Sequence, residues 1–331
     1  MCLKDFFRYR HIWLGVAMIW IVAYHCPFDF GFLNCVKKMG YGGVDICLFA
    51  SGIGCFYSLS SDSNILNFMK RRIKRLVPTY IIFIVAWLVY QYIIGNFDFQ
   101  MALGNVLALQ NFTGLGNAFN WYISAIFLLY ILAPYFKIII DRATNVKKIF
   151  FLIFLLVCSI AFWHATTYIV TVTRLPIFFI GMLFADICKK DKLITLKHTL
   201  IMTVAFIVGV TSLLILMEKI PQHLWAYGLY WYPFILITPP LCFAISRLAM
   251  VLEKSKFTKP IVSLLGICGD YSFEIYLLHI LLVACVTACI DKFSLSNTEY
   301  LIWIAGGVAL FIGCFLLRRM ANLFNSLFKR K

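Results

Sequence analysis

Charge is scarce in this sequence, and acidic charge scarcer still. Asp, Glu, Lys and Arg together make up 13% of 331 residues, with 14 acids set against 30 bases. With 63% hydrophobic residues and a mean hydropathy of +0.89, the chain carries more apolar surface than a water-soluble core can hide. The composition therefore excludes a soluble globular protein and points to a polytopic, all-α membrane bundle. Other absences narrow the function. None of the 12 cysteines forms a CxxC pair, and no His and carboxylate cluster has the spacing of a zinc site on one helix. No metal and no permanently bound cofactor are expected, and most cysteines read as small buried hydrophobes. Cys26 and Cys35 fall near one face, where a disulfide can form. No polar stretch is long enough for a separate soluble domain, so residues 1–331 read as one integral-membrane domain.

What is present is a series of apolar runs. Ten of them are long enough, or nearly so, to cross a hydrocarbon core of about 30 Å: 11–27, 43–59, 76–95, 121–140, 149–167, 174–188, 199–217, 225–246, 269–290 and 300–317. The stretch 101–116 is broken by Gly and Asn and reads as re-entrant or interfacial. The first run follows Lys4, Arg8 and Arg10 as a secretory signal would. It lacks a small-residue cleavage site, and the expectation is a retained first helix. With both termini cytoplasmic, 25 of the 30 cations fall on the inner side, as the positive-inside rule demands. The net charge of +16 is thus a topology signal, and no nucleic-acid partner is implied.

Function is sought where ionisable groups enter the bilayer, because a charged residue at its centre costs at least roughly 2.5–3.5 kcal/mol. The candidates are His25, Asp45, Arg72, Arg75, His164, Arg174, Asp186, Asp270, Glu274 and His279. His25 ends IWLGVAMIWIVAYHC and lies 15 residues after Arg10, about 22 Å along a helix and so toward the outer side. Imidazole titrates near neutrality and suits a general base, although an interfacial histidine beside Tyr24 explains it equally well. Asp45 opens the second run in GYGGVDICLFASG. It could orient a histidine, or simply complement the N-terminus of its own helix. Ser51, Gly52 and Gly54 form a small-residue face suited to close packing. In KRRIKRLVPTY, five cations occupy the six positions 70–75. Three-residue spacing places Arg72 and Arg75 on one face, where planar guanidinium forks can hold phosphate; the other reading is a plain topology signal.

In order along the chain, these motifs resemble the acyltransferase family 3 membrane proteins. The resemblance rests on His25, GGVDICLFASG, RRIKRLVPTY, NWYISAIFLLYILAP, RLPIFFIGMLFA and YSFEIYLLH, and spans residues 10–317. It implies a bacterial cytoplasmic-membrane enzyme that moves an acyl group, most often acetyl, from cytosolic acyl-CoA to a hydroxyl of a cell-surface or lipid-linked carbohydrate. By residue, it implies that Arg72 and Arg75 grip the CoA donor. The sequence departs from the family at Leu14, where many members carry arginine, and at Ile126, where many carry glutamate.

On this reading His25 deprotonates the acceptor hydroxyl, Asp45 fixes its imidazole, and the thioester reaches them on the pantetheine arm. Arg174, Ser51, Trp121 and Tyr122 are candidates for acceptor contact or charge stabilisation, although aromatics in a chain 17% aromatic are more often packing. Tyr276 and His279, three residues apart, share a face and read as interhelical hydrogen-bonding or site-lining groups. The rival class is a transporter or flippase for a glycan or lipid-linked intermediate, which an internal repeat would favour. None is evident, and the cationic cluster has no counterpart in the second half.

Overall fold

The computed structural model describes residues 3–113, 121–161, 169–189, 195–219, 229–293 and 299–327. Among these the chain is 88% helical and has no strand. The helices run in order α1 (Leu3–Arg8), α2 (Arg10–His25), α3 (Asn34–Lys38), α4 (Gly43–Ser61), α5 (Ile65–Ile93), α6 (Phe99–Val106), α7 (Gln110–Thr113) and α8 (Trp121–Arg142). They continue with α9 (Asn145–Ala161), α10 (Ile169–Val172), α11 (Leu175–Lys189), α12 (Leu196–Lys219), α13 (Pro233–Leu252), α14 (Lys259–Asp270), α15 (Ser272–Phe293) and α16 (Glu299–Leu327).

Among the described residues eight helical segments are long and apolar enough to cross a membrane, so the protein is a multi-pass membrane protein. The two expected spans outside that set are α2, of 16 residues, and α9, of 17. The end of the expected 149–167 span and the start of 225–246 lie outside the described residues, as does His164. Long helices α5, α8 and α13 each carry proline within them, at Pro78, Pro134, and Pro239 with Pro240. Membrane helices accommodate this because neighbouring groups satisfy the freed carbonyls.

The bundle is drawn together where side chains vanish. On α4, a Cβ at Gly52 would collide with the Phe178 carbonyl of α11, and one at Gly181 would collide with that of Phe49. Between α2 and α14, Gly15 and Gly269 meet the opposing backbone in the same way. Lipid gives no hydrophobic drive between helices, so close backbone approach supplies the dispersion contact instead. The small-residue face at Gly52 therefore packs the bundle. Of segment 101–116, residues 114–116 lie outside the described residues and the rest falls in the two short helices α6 and α7 and the turn between them, with Asp98 capping α6 and the Tyr80 hydroxyl donating to the Asn105 carbonyl at 2.6 Å. Neither is long enough to cross a bilayer. Cys26 and Cys35 are free thiols, so no disulfide joins them.

Candidate functional site

At the end of the bundle that carries the basic cluster, α2, α5 and α8 enclose a narrow cavity of about 50 Å³. Arg10, Arg72 and Arg75 all line it, so α5 does present Arg72 and Arg75 together. None of the three forms an ion pair among the described residues. Arg72 is buried; its Nη2 donates to the Gly54 carbonyl at 2.9 Å and its guanidinium lies over Phe68 and Tyr130, while Nε has no partner. Arg71, between them in the chain, turns away and binds the Asp62 carboxylate at 2.7 Å. Three guanidiniums thus line one cavity with no carboxylate among its lining residues, a setting in which each repels the others. Arg10 is the member the motif reading passed over as a topology charge.

At the opposite end a wider cavity of about 440 Å³ is lined by His25, His279, Arg174, Trp121, Trp231 and Tyr41. His25 ends α2 with its side chain exposed, in edge contact with Tyr24 and with its ring centroid 5.1 Å from that of His279. Arg174 and Asp45 are both 2% exposed and pair at 3.8 Å, with Arg174 sandwiched between Trp121 and Trp231 at 4.9 and 4.3 Å. Burial in this apolar setting makes each charge depend on the other. The contacts of Asp45 thus lie with Arg174; it makes no hydrogen bond to His25, and its Oδ2 accepts none at all. The physical reason is that α4 and α11, joined at Gly52 and Gly181, bring the Asp45 and Arg174 ends of those helices together. Trp231 escaped the sequence reading, although the aromatic run YWYP ahead of α13 was its signal.

The two cavities share Ile21, Val44 and Tyr276 as lining residues. Beside this junction, Tyr122 packs on Tyr276 with centroids 4.8 Å apart. Ser51 also lines the narrow cavity, within hydrogen-bonding range of Tyr122 and Tyr130. A narrow cavity lined by three arginines thus adjoins a wider chamber lined by an imidazole. The other intramembrane acids are accounted for structurally: Asp186 pairs with Lys148 at 3.2 Å, and Arg318 clamps Glu274 at 2.7 Å and the Asp270 carbonyl.

A protein-family model described as an acyltransferase domain matches residues 15–319, nearly the whole chain. The chain belongs to the acyltransferase 3 family. Comparison with curated proteins and with solved structures returns no match. Leu14, where many members of the family carry arginine, lines the slit one helical turn from Arg10.

Proposed function

We propose that this acyltransferase moves an acyl group, acetyl in the first instance, from cytosolic acyl-CoA to a hydroxyl of a cell-surface or lipid-linked carbohydrate in the bacterial cytoplasmic membrane. The observation that carries the reading is that the arginine-lined cavity and the histidine-lined chamber are adjacent, sharing Ile21, Val44 and Tyr276 as walls. Phosphates of the donor bind Arg10, Arg72 and Arg75, and the flexible pantetheine arm carries the thioester inward. The sugar enters from the other side, into the chamber that Trp121 lines beside His25 and Arg174. His25 takes the hydroxyl proton as oxygen attacks the thioester carbonyl. The tetrahedral intermediate then expels the CoA thiolate, which recovers the proton from His25. The Tyr276 and Tyr122 phenols stand beside the junction, where negative charge develops on the carbonyl oxygen.

Release of CoA from acetyl-CoA by purified protein, with crude cell-envelope glycan as acceptor, tests the reading. Wild type turns over; His25→Ala loses kcat, and Arg72→Ala raises KM for the donor. Absence of turnover with any acyl-CoA, in folded protein and across a broad acceptor set, would refute it.

A further inference from the structure

We propose that His279 is the positioning partner of the catalytic base, a role the sequence assigned to Asp45. The inference rests on the acyl-transfer reading above. His279 sits on α15, only 1% exposed, and its Nδ1 lies 2.6 Å from the Tyr276 carbonyl oxygen. A carbonyl can only accept, so Nδ1 carries the proton and the neutral ring keeps a lone pair on Nε2. That Nε2 is buried and has no hydrogen-bond partner. A buried acceptor without a partner marks a group held for use, because burial without a hydrogen bond is costly. His279 lines the same chamber as His25, and the two ring centroids are 5.1 Å apart at a tilt of 54°. The His25 ring is exposed and makes no hydrogen bond among the described residues, so it is free to turn an N–H toward Nε2, at a reach of about 2.9–3.0 Å.

The consequence is a fixed tautomer. With one His25 nitrogen donating to His279, the other presents its lone pair to the acceptor hydroxyl. When His25 takes that proton, the C–O bond forms and the C–S bond breaks. The proton then leaves His25 for the thiolate sulfur, giving free CoA thiol. His279 keeps its own proton throughout and stabilises the imidazolium by accepting its N–H. Asp45 is committed to Arg174, 3.8 Å away. A metal explanation for the histidine pair fails for want of ligands, since no group of three His, Cys, Asp or Glu among the described residues is placed to hold an ion.

Three substitutions separate an acceptor at Nε2 from mere packing. His279→Asn keeps a donor to the Tyr276 carbonyl but has no atom at the Nε2 position. His279→Gln places an oxygen acceptor near it, and His279→Phe retains only bulk. In nanodiscs, Asn and Phe should each lower kcat about 100-fold or more, with KM for acyl-CoA and glycan within about twofold of wild type. Gln should recover to within about tenfold of wild type. Near-wild-type turnover by folded His279→Asn would overturn the proposal, as would near-wild-type turnover by His279→Phe, which would mean packing alone, or a loss in Gln equal to that in Asn. Absence of turnover in wild type itself would remove the acyl-transfer reading and this inference with it, whereas wild-type turnover together with any of those three results would remove the inference alone.

Discussion

Arg10 offers the sharpest test of the anion site, because it was not part of the motif that pointed there. It lines the slit with Arg72 and Arg75 and makes no ion pair among the described residues, so its removal breaks no structural salt bridge. A charge-assisted hydrogen bond from a guanidinium to a phosphate contributes about 1.5–3 kcal/mol. At about 1.4 kcal/mol per decade, Arg10→Ala should weaken acyl-CoA binding about 10- to 150-fold. The loss belongs in KM and in the inhibition constant of free CoA, with kcat little changed, because the contact lies at the far end of the donor from the reacting carbonyl. Arg71→Ala is the matched control: it removes the same charge from the same basic end, but Arg71 is occupied by Asp62 and faces away. Its effect should stay within about threefold and disappear as salt shortens the Debye length below about 8 Å. Equal effects of the two substitutions, or an unchanged CoA affinity in Arg10→Ala, would refute the shared anion site.

Other expectations follow from the packing. Asp45→Asn leaves the Arg174 guanidinium buried without its counter-charge and should cost about 3–5 kcal/mol of stability, partly restored by adding Arg174→Gln; thermal unfolding in detergent reads both. Gly52→Ala forces a methyl against the Phe178 carbonyl and should destabilise by about 1–3 kcal/mol in the same assay. Gly54→Ala should be milder, because its methyl would meet only the flexible Arg10 side chain at 3.3 Å. The Arg71 hydrogen bond, aided by the Asn64 backbone N–H, holds the exposed Asp62 carboxyl below the usual carboxylate range. Its contribution is therefore complete above the ordinary carboxylate pKa and is lost as pH falls through the lowered one. The wild-type and Asp62→Asn melting temperatures should accordingly converge in that acidic window.

The apolar runs made the helical bundle legible, because a bilayer requires long uncharged helices and tolerates little else. Helix α14 was not legible in the same way: its 12 residues are too short to span, and the sequence placed most of them in a basic loop. Its role shows only when Gly269 meets the backbone of α2. Arg72 and Arg75 could be paired from spacing alone, since helical geometry carries neighbours at three residues onto one face. Arg10 could not, being brought to them by the packing of separate helices. The same holds for His25 and His279, which lie at opposite ends of the chain and become neighbours only when α15 packs on α2. Asp45 was assigned to His25 because both were expected at one side of the membrane. The α4 and α11 crossing gives it to Arg174 instead.

The central claim is that donor and acceptor approach from opposite ends through the two adjoining cavities. The direct measurement is transfer across a sealed vesicle, with labelled acetyl-CoA trapped inside, glycan supplied outside, and wild type compared with His25→Ala. Labelled glycan should form outside with wild type and not with His25→Ala. Product that forms only when donor and glycan share one side of the vesicle, or that forms equally with His25→Ala, would contradict the account.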